Sequence, residues 1–179
     1  QGYNADVISF DTDFSKYKLL VLPAAFITSE AFQMKLRRYV ENGGILLATF
    51  LTSVKNKDNV GYTETLPAGL TDVFGVSVEE VEPIFARNHN QVHLTLKDTE
   101  ADSVDGMWCD LLGGTAEALG SYTSDYKKGS MIVSKNSFGK GKACYLGTDL
   151  CEKAMGELLA DLCREAGMDP NPVRGEKNV

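Results

Sequence analysis

The sequence predicts an α/β fold with a mostly parallel sheet, and three observations carry that expectation. Lys18–Phe50 (KLLVLPAAFITSEAFQMKLRRYVENGGILLATF) sets a short apolar run, a helix-patterned segment and a second apolar run within about 30 residues, the pattern of a right-handed βαβ unit. A strand pattern at Lys142–Leu146 leads into a last amphipathic helix. The 179 residues, 43% hydrophobic and 24% charged, suffice for one packed core but not for two full domains.

Taken in order, Ala5–Phe10 (ADVISF) reads as a strand and Asp11–Tyr17 as a polar connection. Leu19–Leu22 then ends at Pro23, which cannot donate to a ladder. Thr28 or Ser29 caps a helix whose first turn holds Glu30, a carboxylate suited to the positive end of the helix dipole. Phe32, Leu36, Tyr39 and Val40 share one face of it, Gly43-Gly44 stops it, and Ile45–Ala48 reads as a strand buried on both faces. Leu51–Gly69 shows no period and reads as a long loop at the C-terminal end of a parallel strand, where α/β proteins place function. Ala68–Phe74 is a short helix ended by Gly75. Val76, Val78 and Val81 suggest an extended segment with Glu79, Glu80 and Glu82 in water. Gln91–Leu96 alternates as a half-exposed strand, Ala101–Asp110 reads as a polar connection, and Glu117–Tyr122 as a strand. Ser130–Ser134 and Lys142–Leu146 form a hairpin around Asn136–Gly141. Asp149 and Glu152 have capping-box spacing before a helix that buries Leu150, Ala154, Leu158, Leu162 and Ala166 and closes at Gly167. Residues 1–168 form the domain, and the two prolines beyond mark residues 169–179 as a linker tail.

Charge and composition exclude several classes. With 25 acidic against 18 basic side chains, the net charge of −7 disfavours a nucleic-acid partner or an anionic membrane surface. No run approaches the 18 or so continuous apolar residues of a spanning helix, and no signal-like pattern opens the chain, so a cytoplasmic protein is expected. Cys109, Cys144, Cys151 and Cys163 are scattered without a C-x-x-C pair, which predicts reduced thiols and no metal site.

A parallel sheet with a βαβ unit raises four candidate chemistries. A dinucleotide fingerprint is lacking, because Gly139-Lys140-Gly141 and Gly113-Gly114 do not join a strand to a helix; FGKGK reads as a hairpin turn. A nucleophile elbow after Ile45–Ala48 would need a cysteine or serine in a tight turn, and Thr49-Phe50-Leu51 stands there with no base named for Thr49 or Thr52. His89 and His93 are four apart, but in an extended strand that spacing is roughly 13 Å, so a loop histidine beside a strand histidine is expected. No acid pair stands out for glycoside hydrolysis: Glu79, Glu80 and Glu82 read as a solvated edge, and Asp11, Asp13 and Asp149 suit turns and caps.

The segments YKLLVLPAAFITSEAFQMKLRRYVENGGILLATF, TSVKNKDNV, LTDVFGVSVEEVEP, MWCDLL, AEALGSY and NSFGKGKACYLGTDL occur in the order in which the middle domain of glycoside hydrolase family 42 β-galactosidases carries them. The chain resembles that domain over essentially its whole length. The resemblance implies a flavodoxin-like, class I glutamine amidotransferase-like three-layer sandwich that mediates trimerisation and helps wall a neighbouring subunit's active site. In that family the two catalytic glutamates, and metal-binding cysteines where present, belong to a separate (β/α)8 barrel. The resemblance therefore implies no catalytic residue, metal or cofactor in this chain, and galactoside contact only through the barrel. Phe50, Lys55, Asn59 and Trp108 are the candidate contact or pocket-lining residues; for Trp108 a core anchor is favoured over an interface role, and Lys55 and Asn59 equally suit solvent. Two departures stand out. An earlier strand and helix that precede Ala5–Phe10 in the family are missing, which would leave either two strands meeting directly or an exposed gap. Leu51 also stands where the family usually has arginine. A freestanding amidotransferase-like enzyme, a small-sugar-binding domain and a flavin-type binder are the rival readings.

Overall fold

A computed structural model describes residues 2–84 and 89–170; most of the predicted linker tail, residues 171–179, lies outside them. The elements are β1 (Leu19–Leu22), α1 (Glu30–Glu41), β2 (Ile45–Thr49), α2 (Thr71–Phe74), β3 (Val76–Pro83), β4 (Gln91–Thr95), β5 (Glu100–Val104), β6 (Trp108–Gly114), β7 (Glu117–Tyr122), β8 (Met131–Phe138), β9 (Gly141–Leu146) and α3 (Glu152–Glu165).

The βαβ unit forms as its sequence requires. Ser29 is the N-cap, its Oγ accepting from the Phe32 amide at 3.2 Å, and α1 buries Phe32, Gln33, Leu36, Tyr39 and Val40. At Gly44 the Tyr39 ring lies so close that a Cβ would stand 2.2 Å from its Cζ, so only glycine fits there. Beyond it β2 pairs parallel with β1 on one side and with β9 on the other. In β2, Ile45 and Leu47 face α3 while Leu46 and Ala48 face α1, which explains an unbroken apolar run.

The expected mostly parallel, flavodoxin-like sandwich is not what forms. Only β1–β2 and β2–β9 are parallel among the described strands; the other six pairings are antiparallel. The main path runs β1-β2-β9-β8-β7-β4-β5, with β6 branching from β8 and carrying β3. The reason lies in the connections. A parallel neighbour needs a crossover of a dozen or more residues, usually helical. Between Val76 and Leu146 the described chain holds strands and turns without a helix. The sheet therefore curls: Ile45 and Leu47 of β2 share one core with Val92 and Leu94 of β4 and Ala101 of β5, gathered around Ala154, Leu158 and Leu162 of α3.

Three local expectations are also corrected. Ala101–Asp110 is not a connection but β5 and the start of β6, its polar look arising from side chains that alternate outward or are buried with partners. Asp149 does not cap α3; Cys151 is the N-cap residue, and Asp149 Oδ2 instead accepts from the Met107 amide at 3.2 Å. Ala5–Phe10 forms no strand, and Val7 is fully exposed, because no neighbouring strand offers it a ladder. Among the described residues β1 pairs with β2 alone. A groove of about 1030 Å³ runs between residues 3–10 and β1, floored by Phe32, Leu36, Leu159 and Cys163.

Candidate functional site

The sequence directs attention to the exit of β2, and the chain is held there by an unusual number of specific bonds. The Thr49 hydroxyl oxygen accepts from the Ala24 amide at 2.8 Å, and the Phe50 amide donates to Leu146 O at 2.6 Å. Leu51 then takes a left-handed φ of 60°, and Ser53 another of 58°. Such values strain any residue with a Cβ, so neighbours must enforce them. For Leu51 that neighbour is Asp110 of β6, whose Oδ2 accepts from the Leu51 amide at 3.0 Å and from the Tyr145 hydroxyl at 2.8 Å. Its Oδ1 accepts from the Trp108 indole at 3.0 Å. Burial pushes the Asp110 carboxyl above its ordinary pKa, and the three donors pull partly the other way. The same burial, with the adjacent carboxylate, raises Tyr145 well above the ordinary phenol range.

Ser53 is enforced by a closed polar network. Its hydroxyl donates to Ala68 O at 2.8 Å, so it must accept from the Thr28 hydroxyl at 2.7 Å and from Gln33 Nε2 at 3.0 Å. Gln33 Nε2 also reaches Thr28 Oγ1 and the Tyr62 hydroxyl, each at 3.1 Å, and Tyr62 donates onward to Thr28 O at 3.1 Å. This clamps the segment after β2 to α1 from both sides.

The predicted site residues fall into two groups. Phe50 and Trp108 are half-buried and flank the Asp110 pin, Phe50 next to Leu51 and Trp108 bonded directly. Lys55 and Asn59 meet each other, Nζ to Oδ1 at 3.2 Å, with the Lys55 ammonium 5.5 Å from the centre of the Phe26 ring. Trp108 is thus an anchored but partly exposed ring rather than a core residue, and Lys55 has partners beyond solvent. Sequence reasoning missed Asp110, Met107 and the Gln33 network. The one available signal for Asp110 was an acid inside the run Trp108-Cys109-Asp110-Leu111-Leu112.

The nucleophile reading gains nothing here. The Thr52 hydroxyl is buried and donates to Thr49 O at 2.7 Å, and Thr49 is occupied with Ala24. His89 lies in a loop with Nδ1 2.8 Å from Asp105 O, whereas His93 is on β4 with Nδ1 2.8 Å from Asp102 Oδ1. No group of three metal-ligating side chains occurs among the described residues, and the four cysteines are free thiols, of which Cys109, Cys144 and Cys163 are buried. FGKGK is the tight turn of the β8–β9 hairpin, packed on the end of α1, where the Lys140 amide donates to Glu41 O at 3.0 Å.

Comparison with known proteins agrees with the segment order. The sequence model of a family described as the β-galactosidase trimerisation domain matches residues 1–169. The chain is 35% identical over 167 residues to β-galactosidase BgaA of Clostridium cellulovorans and 31% identical over 170 residues to BgaA of Planococcus sp., in each case covering 92% of this chain. It spans about a quarter of those relatives, 24% and 25% of their length. Among solved structures, the β-galactosidase from Bacillus circulans sp. alkalophilus superposes with a TM-score of 0.90 at 29% identity, over 95% of this chain and 26% of that one. The chain therefore belongs to the trimerisation-domain family of glycoside hydrolase family 42 β-galactosidases.

Proposed function

We propose that this chain is a non-catalytic self-association domain of a β-galactosidase-type glycosidase, holding copies together in a trimer while galactoside chemistry is done elsewhere in the assembly. The observation that carries it is the family match over residues 1–169, in a chain whose β2 exit has its two threonine hydroxyls bonded to the backbone. Phe50, Lys55, Asn59 and Trp108 act as contact or wall residues towards a neighbouring copy; two opposed networks hold their segment rigid, as a docking surface requires. The groove beside β1 accommodates a further strand, since among the described residues the apolar β1 pairs on one side alone and sheet proteins normally cover such an edge. Among the described residues no helix is long and apolar enough to cross a membrane, and the free thiols suit a reducing compartment such as the cytoplasm.

Light scattering across a concentration series tests the reading: a mass of three chains is expected, and a monomer throughout would overturn it. The chain alone should leave a chromogenic β-galactoside unhydrolysed; turnover would place catalysis here after all.

A further inference from the structure

A separate cleft lies at the N-terminal ends of β1 and β2, opposite the β2 exit. It measures about 520 Å³ and is walled by the end of α1, the end of α3 and the connection leading into β1. Asp13, Lys18, Lys35, Arg38 and Glu165 line it, and their charges are not matched in pairs. Glu165 is taken by two other lysines, Lys142 of β9 and, at 3.6 Å, Lys135 of β8. Asp13 accepts from the amide and the hydroxyl of Ser15, at 3.0 and 2.8 Å. Lys18 Nζ donates to Gly167 O at 2.9 Å, and Lys35 Nζ to Phe10 O at 2.7 Å and Thr12 O at 2.6 Å. A carbonyl positions an ammonium without cancelling its charge. Arg38 makes no hydrogen bond or ion pair among the described residues, whereas its neighbour Arg37 forks onto Asp72 at 2.6 and 2.8 Å. Nor is Arg38 needed to finish α1. The carbonyls of Arg38, Tyr39 and Val40 already accept from the amides of Asn42, Gly44 and Gly43.

We propose that this cleft binds a small polyanion, a molecule with two or more phosphate or carboxylate groups, and that Arg38, Lys18 and Lys35 hold it. The site is independent of the self-association reading. Cations are the minority in this chain, 18 against 25 acidic side chains, so unpaired ones are not expected to gather by default. Yet none of these three lies within ion-pair distance of a carboxylate among the described residues. Arg38 offers a planar fork of N–H donors that fits an oxyanion bidentately. Lys18 keeps two further N–H groups and Lys35 one. The ends of two helices border the cleft and carry partial negative charge, which a singly charged anion barely overcomes. A polyanion that reaches all three cations overcomes it, because each contact adds its own Coulomb attraction.

Isothermal titration calorimetry of the full chain at low ionic strength, with inorganic pyrophosphate and with citrate, tests the site. Saturable binding to one site is expected, with a Kd of about 1 mM or tighter for at least one probe. Tighter pyrophosphate binding marks a phosphorylated ligand, and tighter citrate binding a polycarboxylate. Arg38→Gln should weaken binding about tenfold or more without lowering Tm, because Arg38 is exposed. Lys97→Gln removes an equal charge from the exposed β4–β5 turn and should leave binding unchanged. Heat that never saturates, or equal weakening by both variants, would reduce the effect to loose surface charge and overturn the proposal. Binding that Arg38→Gln leaves intact overturns it as well.

Discussion

β2 and β6 lie in one sheet but are secured by opposite means. From Ile45 to Ala48 every β2 side chain is buried against carbon from α1, α3 or β9. In β6 the buried residues include Asp110, held by three donors, and Cys109, whose sulfur accepts from the Tyr122 hydroxyl at 2.8 Å. The nearby β7–β8 connection is fixed by Lys127, an ammonium 1% exposed, which pairs with Glu82 of β3 and lies 5.4 Å from the ring centres of both Tyr122 and Tyr126. Helices cover both faces of the parallel part, whereas β4 and β5 of the antiparallel part share α3 alone. The antiparallel part has solvent on one face, so it relies on a few polar pins whose removal has local consequences.

The largest expected effect breaks the parallel side. Leu158→Ala on α3 removes a fully buried side chain from the core that α3 shares with β2, β4 and β9, and should cost about 3–4 kcal/mol of unfolding free energy. Chemical denaturation measures it. A loss below about 1 kcal/mol would show that α3 is not the common core of the curled sheet.

Next comes the Lys127 pin. Glu82→Gln leaves a buried ammonium facing a neutral amide, and about 1–3 kcal/mol should be lost near neutral pH. The pH dependence follows from the shifts. The Lys127 side chain bonds to Glu82 and holds that carboxyl below its usual 4.5, so its contribution is complete above that value and fades as pH falls through the lowered pKa. Burial is the largest single effect and opposes the charge on Lys127, yet the Glu82 bond together with the charges of Cys109, Glu82 and Tyr126 outweighs it and raises the pKa above 10.5; the contribution fades only as pH rises through that raised value. Glu82→Gln should therefore flatten the acid limb. An unchanged acid limb would mean that the pair does not fasten the hairpin.

The same contrast explains what the sequence could disclose. β1, α1, β2 and α3 were legible because helix-covered strands and helices print their burial as apolar runs and 3.6-residue spacing. β5 and β6 were not, since Ser103, Asp105 and Asp110 are buried with hydrogen-bond partners and look like loop residues in a linear reading. The parallel fold class was extended from one βαβ unit to the whole sheet, although the run from Val76 to Leu146 lacks a helical pattern. Ala5–Phe10 has strand composition, but composition cannot supply the partner a strand needs. At the candidate site, the expectation at Phe50 and Trp108 came from a place after a parallel strand and from aromatic identity. Asp110 was missed because its partners Leu51 and Tyr145 are 59 and 35 residues away in the chain.

Asp110→Asn is the smallest change in stability and the sharpest local test. A carbonyl at the Oδ2 position would keep the Leu51 amide and the Tyr145 hydroxyl, leaving an NH2 group at Oδ1 against the Trp108 indole, donor facing donor. Removing a buried charge offsets the lost bond, so stability should change by less than about 1 kcal/mol. The sign with pH is opposite to that of Glu82. Because burial raises the Asp110 pKa in the folded chain, the protein gains stability as pH falls through that raised value towards 3.8, and the variant should lack this gain. Trp108 is the single tryptophan, so its fluorescence reports the released ring without interference. A red-shifted emission with an almost unchanged denaturation midpoint is expected. Unaltered emission would show that the indole is held by packing, and that the polar pin fixes Leu51 alone.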